Sequence, residues 1–170
     1  MFNYNNVKYR YMVDSIEAIR SNHAKLEELK LYGLSYLEHN VIAIGGGRQT
    51  GKTLSMKKYF RADRDIFITP RDVLCDYFMK PTYNINTGYL LKEFTKEELK
   101  LIKDRKAVFS ITSDLEKNIK NALTDDSVIY LDVFSVEIPD NHIHVKRVTD
   151  FLNKLFKNNI ISSKIILIHT

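Results

Sequence analysis

Glycine, lysine and hydroxyl side chains come together in the run Gly46-Gly47-Arg48-Gln49-Thr50-Gly51-Lys52-Thr53, which has the spacing G-x-x-x-x-G-K-T. A polyphosphate carries several negative charges and needs many donors at short range. Glycines let the backbone wrap closely and turn its N–H groups inward. A helix opening just behind the turn adds free donors and a favourable dipole. In this pattern Lys52 is expected to reach the outer phosphates and the Thr53 hydroxyl to bind Mg²⁺. Gly46, Gly47, Arg48, Gln49, Thr50, Gly51, Lys52 and Thr53 are therefore the candidate ligand-binding residues, with ATP and Mg²⁺ as the ligands they suit. A glycine-rich turn with an incidental lysine is the bland alternative.

Such a loop needs an acidic group at a nearby strand end to hold the metal. Val128-Ile129-Tyr130-Leu131-Asp132 supplies one: four apolar residues, then a carboxylate. Lys52 and Asp132 are the candidate catalytic residues, and Thr53 and Asp132 the candidate metal ligands. Fast ATPases usually place a glutamate directly after this aspartate, to orient water. Here Val133 follows, and Glu137 is the nearest acid downstream. The pattern supports binding more than turnover.

Those residues need elements to hold them. Short apolar runs at 41–44, 66–69, 107–111, 128–133 and 164–169 read as strands. Helical stretches fall at 12–19, 25–36, 51–60, 95–103, 113–123 and 145–157. Thr69-Pro70-Arg71-Asp72 resembles a helix start, and Thr95 with Glu98 and Ser113 with Glu116 have capping-box spacing. Residues 79–89 are polar and turn-rich and read as a loop. Strand and helix alternate from Val41 onward, and the strands are apolar throughout rather than alternating. The expectation is an α/β fold with a mostly parallel five-stranded sheet covered by helices on both faces. Ligands in such sheets sit beyond the carboxyl ends of the strands. One domain over 1–170 is expected, with the helical segment 1–40 packing on it.

Composition narrows the setting. Hydrophobic residues make up 44% and charged residues 28%, a globular balance. No apolar run is long enough to span a bilayer, and the first ten residues carry no apolar signal core. A single cysteine, Cys75, forms no internal disulfide, which fits a reducing compartment. A cytoplasmic location without membrane attachment is expected. The net charge of +5 favours anionic partners, although solvated lysines spread over helix faces account for it as well.

The run Gly47 to Thr53, with Arg-Gln before Gly-Lys-Thr, is similar to the phosphate loop of the large terminase subunit of tailed phages. Val108 to Ser113, Val128 to Asp132, Ile138-Pro139 and Ser162 to Thr170 follow one another as strand segments do in that ATPase domain. The resemblance implies a P-loop NTPase of the additional-strand type, related to terminase and helicase motors. It implies that Arg48 contacts the γ-phosphate or switches on assembly, and that Thr170 ends a segment coupled to hydrolysis. Tyr4 to Met12 would correspond to a segment beside the adenine. DNA, and further protein subunits or copies of this chain, are the partners it implies, in the host cytoplasm of a phage. Two features depart from the family. Val133 stands at the glutamate position, and the chain stops where a nuclease domain would continue.

Other residues keep two readings each. Arg61, Arg64 and Arg71 fall near the expected ligand side as candidate arginine fingers, or pair with Asp63 and Asp65. His142 and His144 could share a metal or be ordinary surface histidines. The ten tyrosines are too scattered to read as a base-stacking platform. A small-molecule kinase is a rival function, with Lys146-Arg147 as the late basic pair and Thr69 to Asp72 as the acceptor grip. A non-catalytic protein regulated by nucleotide is another.

Overall fold

A strand with no polar interruption is stable only where both of its faces are covered. That condition is met here. The structure, a computed structural model, describes residues 4–21, 39–44, 51–111, 114–133, 141–162 and 164–170. Its elements are α1 (Tyr4–Ser21), β1 (Val41–Ala43), α2 (Lys52–Tyr59), β2 (Ile66–Thr69), α3 (Asp72–Met79), β3 (Thr82–Tyr83), β4 (Leu90–Lys92), α4 (Lys96–Arg105), β5 (Val108–Ser110), α5 (Leu115–Ala122), β6 (Val128–Leu131), α6 (Asn141–Lys157) and β7 (Ile166–His169). Five strands form one all-parallel sheet in the order β1-β7-β6-β2-β5. The fold is α/β, as the alternation of elements predicts.

The two-residue period of the strands divides the core into two layers. Ile66, Ile68, Ile129, Leu131 and Leu167 face α5 and α6, where they meet Leu115, Ile119, Phe151, Leu152 and Leu155. Phe67, Val128, Tyr130, Ile166 and Ile168 face the other way, onto Met12 and Ile16 of α1, Met56 of α2, Phe78 of α3 and Ile102 of α4. The Phe67 and Phe78 rings stack at 3.7 Å between centroids, and Phe60 meets Phe78 edge-on at 5.4 Å. Among the described residues no helix is long and apolar enough to cross a membrane.

Several local expectations change. Residues 79–89 are not simply a loop: β3 pairs antiparallel with β4, a hairpin too short for any alternation to betray it. The helix expected at Thr69-Pro70 starts at Asp72 instead, with extended Arg71 as its N-cap. Thr69 remains in β2, and its carbonyl accepts from the Ile111 N–H at 2.8 Å. Strand pairing therefore takes the residue that local capping chemistry would have used. The Thr95–Glu98 capping box forms in full. At α5 the N-cap is Asp114, without a side-chain cap bond, while Ser113 lies outside the described residues. So do the helix expected at 25–36, Glu137 and Ile138-Pro139.

Arg61 and Arg64 lie at the amino ends of the strands, away from the ligand side on which the sequence reading put them. The chain descends through α2 before reaching them and rises again through β2. Asp65, wholly buried, accepts from the Arg61 N–H and the Arg61 Nη2 at 2.8 Å each, and from the Val128 N–H at 3.0 Å. Arg64 pairs with Asp63 at 2.6 Å and with Asp126 at 3.1 Å, while Arg20 of α1 donates to the Asp126 carbonyl. This cluster ties the starts of β2 and β6 to the end of α1. Replacing one member of a buried pair leaves desolvated donors behind. Burial raises the Asp65 carboxyl against the pull of Arg61, so the cost of losing it lies in the stranded donors. Asp65→Ala, which removes both acceptor oxygens, is expected to lower stability by about 3 kcal/mol in urea unfolding.

Candidate functional site

The carboxyl ends of β1, β6 and β7 converge with the start of α2. In register, Leu131 lies opposite His169 and His169 opposite Ala43, so the ends of the three strands are level. β7 is the strand between β1 and β6, which puts Asp132 one strand away from the chain that enters the glycine run. The Ile44 N–H donates to the His169 carbonyl at 2.8 Å, continuing the ladder to the brink of that run. Gly46, Gly47, Arg48, Gln49 and Thr50 lie outside the described residues.

Gly51, Lys52 and Thr53 are described. Gly51 sits in the left-handed region at φ 76° and serves as the N-cap of α2, a conformation that costs a residue with a Cβ but not glycine. Its carbonyl accepts from the Ser55 N–H and from the Ser55 hydroxyl, both at 2.9 Å. The opening turn of a helix directs N–H groups along its axis, and α2 opens on this edge of the sheet. Lys52 is buried at the helix start, 7% exposed.

Asp132 collects the site. The Thr53 hydroxyl donates to its Oδ2, and the Thr170 hydroxyl lies 3.3 Å from its Oδ1. Thr170 is fixed in turn by the Val133 N–H, which donates to its hydroxyl at 3.2 Å, and by its own N–H to the Leu131 carbonyl at 3.1 Å. Backbone pairing of the Asp132 N–H with the Ile68 carbonyl at 2.9 Å extends the ladder with β2. Burial pushes the Asp132 carboxyl above its ordinary value, against the pull of the two hydroxyls and of the Lys52 charge. His169 is held below its ordinary value by burial.

Chemically, these are hard oxygen ligands with a buried ammonium beside them, on the edge where a parallel sheet takes its ligand. Asp132, Thr53 and Lys52 are brought together as the sequence reading expected. Val133 is a different matter. Its side chain is fully buried in the layer with Val148 and Leu152, so that position faces the core and not the site. Tyr4 to Met12 form the first half of α1, with Met12 buried against the sheet. Lys146 pairs with Asp150 along α6 and is exposed. Arg71 stands exposed at the carboxyl edge before α3, and Cys75 donates weakly to the Arg71 carbonyl at 3.9 Å. Burial pushes its thiol up to about 11, which leaves it unreactive at neutral pH. The side chain of His142 lies outside the described residues, and no cluster of three His, Cys, Asp or Glu residues that could hold a metal occurs among those described. Comparison with family models, with curated proteins and with solved structures finds no match.

The raised Asp132 carboxyl has a stability consequence. A folded value above the unfolded one means that ionisation opposes folding at neutral pH, and that the penalty fades as pH falls through the folded value. Asp132→Asn, free of ligand, is expected to be at least as stable as the wild type at pH 7. That margin should shrink on acidification, as read by urea midpoints across pH.

Proposed function

We propose that this chain is a Mg²⁺–ATP-binding P-loop domain of the terminase- and helicase-like class, with hydrolysis that is slow or depends on a partner. The observation that carries the reading is the joint hold on Asp132 by Thr53 and Thr170, next to buried Lys52 at the start of α2. A helix start, an ammonium, a hydroxyl and a carboxylate are the groups that a magnesium–triphosphate complex requires.

The residues present suit Mg²⁺. This ion takes oxygen ligands and keeps one or two protein carboxylates alongside water and substrate phosphates, so it needs no cage of three acids. Thr53 and Asp132 would hold it, and bound there it neutralises charge on the phosphate oxygens. In this reading the run Gly46 to Gly51 wraps the phosphates with main-chain amides, and Lys52 contacts the outer ones. Thr170, hydrogen-bonded to the metal-side carboxylate, links the end of β7 to the state of the ligand.

Core burial of Val133 supports the weak-turnover part of the proposal. A glutamate there would enter an apolar layer and not reach water, so a base must come from elsewhere in the chain or from a partner. The same observation favours a second reading, a protein that binds nucleotide without turning it over. DNA as the polymer, further subunits or copies of this chain as co-workers, and a phage origin in a host cytoplasm belong to the proposal through the resemblance of the glycine run alone.

The test is nucleotide binding followed by turnover. ATP with Mg²⁺ is expected to raise the melting temperature of the wild type. Lys52→Ala should weaken ATP binding about tenfold to a hundredfold, the loss of one charge-assisted contact. Phosphate release should be slow alone and rise with added DNA. Transfer to a nucleoside from a panel would point to a kinase instead. ATP binding with no turnover under any addition would leave the non-catalytic reading, and no binding at all would refute the proposal.

A further inference from the structure

The β3–β4 hairpin presents aromatic surface that the core does not use. Tyr83 is 55% exposed, Tyr89 74% and Ile85 at the tip 95%, while Leu90 is also exposed. Yet the hairpin is held by hydrogen bonds along its length, with an irregular register between Thr82 and Tyr83. Tyr83 lies opposite Leu90, and the Asn84 N–H donates to the Tyr89 carbonyl at 2.8 Å. The Asn84 Oδ1 accepts from the Asn86 and Thr87 N–H groups at 2.9 and 3.2 Å, and Gly88 closes the turn at φ 68°. At its base the buried Lys57 ammonium donates to the Lys80 carbonyl and to the Thr82 hydroxyl at 3.1 Å, and lies 5.2 Å from the Phe94 ring centroid.

Charge chooses the partner. Between Asp76 and Glu93 the sequence has no acidic residue, while Lys80 and Lys92 flank the hairpin and Asn84, Asn86 and Thr87 cap it. Exposed apolar side chains on neighbouring α3 (Val73, Leu74 and Tyr77) lie instead beside Asp72 and Asp76, so the acid-free surface belongs to the hairpin. Lys92 lies with its ammonium 5.2 Å from the Phe94 ring centroid and is followed by exposed Glu93, so the exposed charge at the hairpin itself is that of Lys80. Flat aromatic faces with amide and hydroxyl side chains and a lysine are the chemistry that holds unpaired bases and their phosphates. We propose that the Thr82–Lys92 hairpin is a contact site for single-stranded nucleic acid, with Tyr83 and Tyr89, which project from opposite faces because Tyr83 pairs with Leu90, each offering one ring to a base and Lys80 facing the backbone. This inference goes beyond the nucleotide reading and does not depend on it.

The experiment is fluorescence anisotropy of a labelled oligo-dT with the full chain. Wild type is expected to bind, more tightly than to a duplex of the same length, with affinity falling as salt rises. Tyr83→Ala/Tyr89→Ala should weaken binding by about tenfold or more, whereas Tyr83→Phe/Tyr89→Phe, which keeps both ring faces, should restore it. Ile85→Asp, at a solvent-exposed tip that the fold does not need, should also weaken binding, giving a second readout if the alanine pair folds poorly. Lys52→Ala should leave oligo-dT binding unchanged, so a failure of ATP binding and a failure here are separately visible. No binding by wild type, or wild-type affinity in both the alanine pair and Ile85→Asp, would overturn the proposal. So would unchanged oligo-dT binding with an altered oligomeric state in sedimentation, which would assign the hairpin to protein association.

Discussion

A single carboxylate draws the working edge of this molecule together. Asp132 stands at the end of β6, accepts from Thr53 on α2, and lies within reach of Thr170 at the end of β7. Three chain segments far apart in sequence thus meet at one half-buried acid. The arrangement demands that β6, β7 and β1 end level, and that α2 start just above them. The parallel sheet meets that demand, since its strands point the same way and its helices return each time to the opposite edge. Without ligand the group is held at a cost, because burial disfavours its ionised form.

At the far edge a second acid meets the same desolvation with more partners. Asp65 is wholly buried and its carboxyl is also raised by burial, but an arginine fork and the Arg61 and Val128 N–H groups pull against that shift. Arg105 adds bonds to the Ala62 and Ala122 carbonyls, tying α4 to the turns before β2 and after α5. These contacts are satisfied within the chain itself.

Much of this was legible in the residues. Uninterrupted apolar runs gave the strands because a parallel sheet buried on both sides tolerates nothing else, and the glycine run marked the edge on which Lys52, Thr53 and Asp132 would meet. The Thr95–Glu98 box was readable because capping is local. Elsewhere long-range pairing decided. Thr69 has the right chemistry for a cap but is held in β2 by Ile111, and Arg61 and Arg64 sit at the amino edge because the chain passes down α2 before reaching them. The hairpin was hidden for another reason: its strands have two and three residues, and its register rests on the Asn84 side chain. No periodicity exists at that length. Asp126 went unnoticed as well, since an acid in a turn gains meaning only when Arg20, Arg61 and Arg64 arrive from distant positions.

Helix α2 is only eight residues long, a rod of about 12 Å. Its first residues belong to the carboxyl-edge site, and Lys57 in its second turn grips the base of the hairpin through Lys80 and Thr82. So short a helix has no room to bend between its two attachments. The glycine end of the helix and the base of the hairpin are thus held at one set separation, like two fittings on a short strut.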